Sequence, residues 1–210
     1  MNFKALALAC ALLAGNASAS VLIDFERLFL RWNSRINLAA DSTISDFWAR
    51  HVVDSAQLWT YGRDRRFWLD LGSGGGLPGI VIAILGAPVG LSMSLIESNN
   101  KKAAFLRNCA AELGLQVEIV VERIDKIELS RAPDCISARA LAALPTLLDL
   151  TSRWLQPGTR AKALLHKGRD FQREIVQARD EWDFHLIEHV SVVDAMSRVL
   201  EVSNVKPLER

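Results

Sequence analysis

The chain has 210 residues and a formal net charge of +1; 50% of its residues are hydrophobic and 23% are charged. This length suits one domain, residues 1–210, with a core large enough to need no covalent or metal staple. The balanced charge excludes a chain that is basic throughout, so any surface for nucleic acid has to be a local patch. Apolar runs stay shorter than a membrane span, and we expect no membrane partner. Cys10, Cys109 and Cys135 lack metal-ligand spacing, which predicts buried thiols in a reducing compartment and no metal site.

The first twenty residues allow two interpretations. Lys4, an apolar run over residues 5–14 and an Ala17-Ser18-Ala19 end have the outline of a secretory signal. The same residues are rich in alanine and leucine and also fit a helix that packs on the domain. The composition of this stretch alone does not choose between the two.

Helices are predicted over residues 1–62 as an N-terminal extension, with a core over residues 63–210. The first confident helix is amphipathic, because its apolar residues fall on one face. They are Val21, Leu22, Phe25, Leu28, Phe29, Trp32 and Ile36. The next helix is predicted to begin at a capping box of Thr43 and Asp46. On that helix Arg50 and Asp54 stand four residues apart and can pair.

The centre of the core is predicted at Phe67–Leu71, a short apolar run typical of a strand that is covered on both faces. Four glycines follow within residues 72–76. Glycine accepts positive φ and lets a ligand lie against bare backbone. Pro78 lacks an amide hydrogen and suits the first turn of the next helix, whose free amides would face a bound ligand.

Two classes of ligand compete for this glycine turn. Gly74, Gly76 and Gly79 match the fingerprint of dinucleotide-binding folds. Asp70 argues against a dinucleotide, because a carboxylate aimed into the pocket would repel a pyrophosphate but could hold an ammonium group. Glu97 ends the next apolar run and can accept both ribose hydroxyls. An acid, a glycine turn and a second acid resemble the class I S-adenosylmethionine-dependent methyltransferases, whose cofactor has no phosphate.

Strands and helices alternate through the rest of the core. The predicted helices cover residues 80–85, 99–113, 144–155 and 171–182, and the predicted strands cover residues 91–97, 117–121, 134–137 and 161–165. Residues 184–193 and 198–205 alternate well enough for a closing antiparallel pair. This order predicts an α/β fold of the class I methyltransferase kind. It is a doubly wound, Rossmann-like sheet with an N-terminal helical extension and a C-terminal antiparallel hairpin.

Polar side chains follow the later strands, at the edge where such a sheet binds ligands. Asp125 could accept a hydrogen bond from an adenine amino group while Ile124 contacts the ring; the alternative for Asp125 is a capping acid of a short helix. Arg139 follows the fourth strand, where we favour a functional role. His166 and Lys167 end the fifth strand and reach the same edge.

Five stretches along the chain are similar to one family. They are Trp32-Asn33-x-x-Ile36-Asn37-Leu38, Arg50-His51-x-x-Asp54-Ser55, Leu69-Asp70-x-Gly72-x-Gly74-x-Gly76-Leu77-Pro78-Gly79, Ser137-Ala138-Arg139-Ala140 and His166-Lys167-Gly168. Over these stretches the chain resembles the small-subunit ribosomal RNA methyltransferase G family, also called glucose-inhibited division protein B. The glycine turn is generic to class I enzymes, whereas the Leu-Pro-Gly extension and the Arg-His-x-x-Asp-Ser stretch are specific.

The resemblance implies S-adenosyl-L-methionine as cofactor and methylation of N7 of one guanine in 16S rRNA, in the bacterial cytoplasm. The partner is then 16S rRNA or the small ribosomal subunit, and we expect a monomer. The resemblance implies cofactor contacts at Gly72, Leu77, Glu97, Ile124, Asp125 and Arg139, to which the glycine turn adds Gly74. Because this cofactor is made and used in the cytosol, we favour a helix over a signal for residues 1–20.

The sequence departs from the family pattern at two positions. Ala138 stands between Ser137 and Arg139, where the family usually has Ser-Arg-Ala directly. Asp125 stands where a glutamate is common, so its reach to the adenine is shorter. The signal-like stretch at residues 1–20 has no clear family counterpart.

Guanine N7 carries a lone pair and no proton, so it can attack a methyl group without a general base. We therefore expect catalysis by positioning and by exclusion of water. The candidate catalytic residues are Arg139 and Lys167, which would position the RNA beside the cofactor. Arg139 could also touch the cofactor carboxylate. His51 and Asp54 are further candidates, for the pocket wall or the guanine edge. An equally open interpretation makes Arg50, His51 and Asp54 a network that fixes the N-terminal helices to the sheet.

Three alternative functions stay open at this point. A class I methyltransferase acting on a protein or small molecule would share the glycine turn but not the family-specific stretches. A nicotinamide-dependent oxidoreductase is disfavoured by Asp70. A non-catalytic RNA-binding or assembly protein would keep the cofactor turn as a relic, which the intact set of acid, glycine turn and second acid disfavours.

Overall fold

The computed structural model describes residues 16–208, in which seven strands form one sheet. The strands are β1 (Phe67–Leu71), β2 (Ser92–Ile96), β3 (Val117–Val120), β4 (Cys135–Arg139), β5 (Lys162–Lys167), β6 (Trp182–Val190) and β7 (Arg198–Pro207). They are ordered β3-β2-β1-β4-β5-β7-β6. The first five run parallel, while β7 is antiparallel to β5 and to β6. The predicted doubly wound sheet with a C-terminal antiparallel hairpin is confirmed.

Helices precede the sheet and connect its parallel strands. They are α1 (Asn16–Ile36), α2 (Asp41–Ile44), α3 (Asp54–Gly62), α4 (Gly79–Gly86), α5 (Asn100–Glu112), α6 (Leu144–Thr151) and α7 (Phe171–Arg179). A π-helical segment, Trp48–Val53, runs directly into α3. The helices α6 and α7 end about one turn earlier than the sequence predicts. None of the helices found in residues 16–208 is both long enough and apolar enough to cross a membrane.

The N-terminal extension differs from the prediction at the start of its second helix. The predicted capping box of Thr43 and Asp46 is wrong: Thr43 lies inside α2, and its hydroxyl donates to the carbonyl of Ala40 over 2.7 Å. The predicted pair of Arg50 with Asp54 is also wrong. Arg50 lies in the π-helical segment, where residues four apart do not have the spacing of an α-helix. Asp54 pairs instead with Arg139.

Of the signal-like stretch at residues 1–20, only residues 16–20 are among the described residues. Asn16–Ser20 belong to α1, which agrees with the helical interpretation for these five residues. The rest of the stretch, including Cys10, lies outside the described residues.

Helices cover both faces of the sheet, which explains why all five residues of β1 are buried. Side chains alternate along a strand. Trp68 therefore packs into one hydrophobic cluster with Phe25 and Phe29 of α1. Leu69 and Leu71 pack into a second cluster together with α6. The N-terminal extension thus shares a hydrophobic core with the sheet.

Two cysteines lie in this core. Cys109 and Cys135 are free and fully buried, which confirms the prediction of buried thiols for these two. Burial raises the pKa of Cys109 to about 12 and raises the pKa of Cys135 further. Both thiols therefore stay protonated and unreactive at neutral pH.

Candidate active site

A cleft of about 360 Å³ opens beside the glycine turn, at the carboxyl ends of β1, β2 and β3. We call it the glycine cleft. It is lined by Gly72, Gly74, Ile96, Glu97, Ser98, Lys102, Glu122, Arg123, Ile124, Asp125, Ala140, Leu141 and Leu150. Doubly wound sheets bind ligands at this edge of their strands. Five of the residues predicted to contact a cofactor, Gly72, Gly74, Glu97, Ile124 and Asp125, are therefore brought together in one cleft.

The glycines of the turn have two separate uses. Gly72 and Gly74 line the cleft with φ angles of 65° and 53°, which side chains rarely adopt. A Cβ at Gly72 would also stand 2.7 Å from Cδ1 of Leu141. Gly79 instead allows close packing, since a Cβ there would lie 2.6 Å from Oδ2 of Asp70. Of these three glycines, Gly72 and Gly74 line the cleft and Gly79 does not.

Glu97 ties the end of β2 to the glycine turn. One carboxylate oxygen accepts from the backbone amide of Gly74 over 2.8 Å, and the other accepts from the amide of Asn99 over 2.7 Å. The side chain is buried, with 8% exposure for the residue. Each oxygen keeps a second lone pair for a ligand donor. Because a carboxylate already holds the Gly74 amide, the turn repels a pyrophosphate and suits a ligand without phosphate.

Asp70 does not enter the glycine cleft. It is fully buried, and its Oδ1 accepts from the hydroxyl of Ser137, which in turn accepts from the indole nitrogen of Trp68. Burial raises the pKa of Asp70 to about 6, partly offset by the hydrogen bonds of Ser137 and Ser73. The prediction that this carboxylate is aimed into the ligand pocket is wrong. The discrimination against a dinucleotide belongs to Glu97 instead.

A second, larger cleft of about 790 Å³ adjoins the first. We call it the arginine cleft. It lies between the N-terminal helices, the ends of β4 and β5, and the turn between β6 and β7. Its wall includes Thr43, Arg50, His51, Asp54, Arg139, His166, Lys167, Glu174, Ser191, Ser197 and Arg198. The two clefts share Ala140 and Leu141. Ala140 has a φ of 50°, and such strain in a residue other than glycine is concentrated at functional sites.

Arg139 precedes the shared Ala140 and is held in the arginine cleft by the N-terminal extension. Its Nη1 donates to the carboxylate of Asp54 over 3.2 Å and to the carbonyl of Arg50 over 3.0 Å. Its Nη2 lies 3.3 Å from Nδ1 of His51. The pair with Asp54 is about four-fifths buried on both sides. This geometry agrees with the network interpretation of Arg50, His51 and Asp54, and the same groups also line the arginine cleft.

His51 is neutral, and its partners define its tautomer. The hydroxyl of Thr43 donates to a carbonyl, so its oxygen accepts from Nε2–H of His51 over 2.9 Å. Nδ1 is then the acceptor that faces Arg139. Burial, reinforced by the charge of Arg139, lowers the pKa of His51 to about 4. His166 donates from Nε2 to the carbonyl of Asp54 over 2.8 Å, and burial lowers its pKa as well.

Lys167 lines the arginine cleft but is already paired. Its ammonium lies 2.6 Å from a carboxylate oxygen of Glu174 and donates to the carbonyl of Ala142 over 2.6 Å. The residue is only 6% exposed. Two of its three N–H donors are therefore engaged within the protein, which leaves one for a ligand.

A family model for the rRNA small subunit methyltransferase G, GidB, matches residues 18–202 of the chain. The chain belongs to this family.

Curated relatives in the family cover almost the same length. Ribosomal RNA small subunit methyltransferase G of Brucella anthropi is 47% identical over 191 residues, which is 90% of this chain and 89% of the relative. The protein with the same name from Brucella suis biovar 1 is also 47% identical over 191 residues, with the same two coverages.

Solved structures support the fold alone. An O-methyltransferase from Bacillus cereus in complex with SAH has a TM-score of 0.56 and 15% identity, covering 89% of this chain and 91% of that chain. A protein from Pyrococcus horikoshii has a TM-score of 0.57 and 12% identity, covering 84% and 96%. The sheet of this methyltransferase G family member is therefore the Rossmann-like sheet predicted from its sequence.

Two of the predicted cofactor contacts differ in placement from the other five. Leu77 is 6% exposed, packs in the core and does not line the glycine cleft. Arg139 lines the arginine cleft and not the glycine cleft. Asp125 does line the glycine cleft and pairs with Arg123 over 3.0 Å.

Sequence reasoning missed several polar residues of this family member's site. They are Thr43, which holds His51, Glu174, which neutralises Lys167, and Gln57, which holds Asp54. Thr43 and Glu174 carry no local signal, because only the folded chain brings them to their partners. Gln57 has one, since it stands three residues after Asp54 on α3, a spacing at which helical side chains meet.

Proposed function

We propose that this chain transfers the methyl group of S-adenosylmethionine to N7 of a guanine in small-subunit ribosomal RNA. The observation that carries the proposal is the meeting of the glycine cleft and the arginine cleft at Ala140 and Leu141. A cofactor in the first cleft and a nucleotide in the second can place their reacting atoms at this junction. Membership of the methyltransferase G family supports the same reaction.

The residues of the glycine cleft fit the proposed cofactor. Glu97 retains one lone pair on each oxygen for the ribose hydroxyls. Bare backbone at Gly72 and Gly74 allows close approach of the amino-acid end. Ile124 offers an apolar contact for the adenine, and Asp125 offers an acceptor for its amino group. Acids in the wall suit a cofactor that carries cationic sulfonium and ammonium groups and no phosphate.

Bound S-adenosylmethionine supplies an electrophilic methyl group, and N7 forms a bond to that carbon while the bond from carbon to sulfur breaks. The positive charge thereby passes to the guanine ring, and no proton has to be removed from N7. The chain accordingly presents a neutral His51 whose pKa is too low for a base at neutral pH. Asp54 lines the pocket for the guanine, and its ion pair with Arg139 fixes both side chains in position. Catalysis is then orientation and exclusion of water.

The arginine cleft suits one extruded nucleotide. Its volume of about 790 Å³ lies within the range of small-molecule sites. An enzyme that acts on a base has to remove that base from the stack or act on a single strand. Arg50 and Arg198 at the wall can hold phosphates, and the remaining N–H of Lys167 can join them.

The proposal includes the setting of the reaction. The active unit in this proposal is a monomer. The substrate is 16S rRNA, free or within the small subunit, and the place of action is the bacterial cytoplasm, where the cofactor and ribosomal RNA occur together.

A methyl-transfer assay tests the proposed function directly. Purified protein is incubated with tritiated S-adenosylmethionine and with stripped 16S rRNA, assembled small subunits or total protein. We expect label in RNA, and reduction followed by aniline treatment should cut the RNA at one methylated guanine. Label in protein only, or calorimetric heat with reduced nicotinamide and none with S-adenosylmethionine, would refute the proposal.

A further inference from the structure

Gln57 is a buried amide one turn along α3 from Asp54. It is 7% exposed. Its Nε2 donates to Oδ1 of Asp54 over 2.8 Å and to the carbonyl of Asp54 over 2.9 Å. Both ends of the amide therefore have protein partners, and one of these is the carboxylate of Asp54.

The other end of Gln57 reaches the turn between β6 and β7. Its Oε1 accepts from the backbone amide of Val192 over 3.1 Å, and its Nε2 lies 3.5 Å from the hydroxyl of Ser191. That hydroxyl also accepts from the amide of Val193. Ser191 and Ser197 of this turn line the arginine cleft. One side chain therefore connects the outer wall of the cleft to the carboxylate at its base.

The two oxygens of Asp54 have separate partners. Oδ1 faces Gln57, and Oδ2 faces Arg139 over 3.2 Å. Nε2 of His166 lies 3.6 Å from Oδ1, just beyond hydrogen-bond distance. Without the amide of Gln57, Oδ1 loses its hydrogen-bond donor, and the carboxylate can turn about its contact with Arg139. Gln57 and Arg139 thus fix the orientation of this carboxylate from its two sides.

We propose that Gln57 is a positioning residue for methyl transfer, which sets the carboxylate of Asp54 and with it Arg139, and holds the Ser191–Ser197 turn as the outer wall of the nucleotide site. This inference rests on the proposed function. It assigns Gln57 no contact with cofactor or guanine. Its effect is on the geometry of the groups that receive the nucleotide, where an error of about 1 Å can lower a rate by about a hundredfold.

Two substitutions and one control test the role. Gln57→Leu keeps the volume and removes every hydrogen bond of the amide, to Asp54 and to the turn between β6 and β7. Gln57→Glu keeps the shape but places a second carboxylate against Asp54. Gln177→Leu, at an exposed position of α7, makes the same chemical change away from the site. For each protein kcat and KM for 16S rRNA, the Kd for S-adenosylmethionine and the melting temperature are measured.

We expect Gln57→Leu to lower kcat by about tenfold or more, while the cofactor Kd stays within about twofold and Gln177→Leu resembles the wild type. Gln57→Glu should be impaired at about pH 8 and recover toward about pH 6, because a protonated glutamic acid can donate to Asp54 again. The ionisable neighbours of this position are Asp54, His51, Arg139 and His166, and they are common to the wild type, whose own pH profile is the reference.

The results separate the inference from the proposed function. A wild-type protein that transfers no methyl to RNA refutes the function, and the role of Gln57 falls with it. An active wild type with kcat for Gln57→Leu within about twofold overturns the inference alone. If Gln57→Leu does not fold, Gln57→Glu decides. Its kcat is divided by the wild-type kcat at each pH. A ratio that does not change with pH overturns the role, and a reversible rise of the ratio at low pH supports it.

Discussion

The backbone amide of Gly74 donates to the carboxylate of Glu97 over 2.8 Å, so an anion of the chain itself holds the centre of the glycine turn. In a dinucleotide-binding fold such amides face a pyrophosphate. Here the phosphate position is taken by a carboxylate that keeps further lone pairs for hydroxyl groups. The same glycine spacing therefore serves a nucleoside cofactor without phosphate.

Replacing Glu97 by glutamine should weaken cofactor binding while preserving the side-chain shape. The amide loses the charge that accepts from two backbone amides and, as we propose, from the ribose. Hydrogen bonds to charged groups contribute about 1.5–3 kcal/mol, so we expect the Kd for S-adenosylmethionine to rise by about tenfold to a hundredfold in calorimetric titration. Glu128→Gln, at an exposed position, is the matched control. Equal affinity for the two variants would contradict the assignment.

Gly74→Val should abolish cofactor binding because it places a side chain in the glycine cleft, and not because it strains the backbone. Gly74 and Gly90 both have positive φ, at 53° and 72°, and neither has crowded surroundings. A side chain at either position costs roughly 1–2 kcal/mol of backbone strain. We therefore expect Gly90→Val to lose similar stability in urea titration but to bind S-adenosylmethionine normally. Loss of binding in both variants would mean that strain, and not the cleft, is responsible.

Arg139→Ala should cut methylation of ribosomal RNA strongly while the sheet stays folded. The substitution leaves the partly buried carboxylate of Asp54 without its guanidinium, so we also expect a loss of roughly 1–3 kcal/mol in the free energy of unfolding. Arg139→Lys keeps the charge but not the fork of donors, and should recover stability more than activity. Tritium transfer and urea titration measure the two effects, with exposed Arg107→Ala as control. Near-wild-type transfer by Arg139→Ala would remove this residue from the mechanism.

The pH dependence of stability should reflect buried groups whose pKa values shift in opposite directions, among them His51 and Asp70. The pKa of His51 falls from 6.5 to about 4 on folding, so its contribution is complete above pH 6.5 and is lost as pH falls toward 4. The pKa of Asp70 rises from 3.8 to about 6, so its contribution is complete below pH 3.8 and is lost as pH rises toward 6. Between pH 4 and 6 the two effects partly cancel.

Asp70→Asn separates these contributions. The variant lacks the group that gains stability on acidification, so its free energy of unfolding should fall more steeply than that of the wild type from pH 6.5 to 4. Urea titrations at several pH values measure the two slopes, and His51→Gln should show a shallower fall. Parallel slopes for Asp70→Asn and wild type would show that Asp70 does not titrate in this range.

Several parts of the molecule were determined by local sequence. The apolar run Phe67–Leu71, the glycines after it and the alternation of later strands and helices predicted the sheet and its hairpin, and the structure confirms them. Glu97 was predicted in the cleft because it ends a strand next to that turn. Such features follow from the periodicity of apolar side chains and from backbone angles that only glycine adopts easily. Both properties depend on residues that are close together in the sequence.

Only the tertiary structure decided the direction and partners of the polar side chains. Asp70 points into the core and not into the cleft. The sequence could not show this, because a strand that is buried on both faces has no polar alternation to indicate the direction of a side chain. Lys167 is neutralised by Glu174, and Gln57 bonds to Val192, 135 residues away. The first pair forms only when α7 folds back on the end of β5, and the second only when the hairpin closes against the N-terminal helices. Their energies depend on tertiary contacts that no local pattern contains.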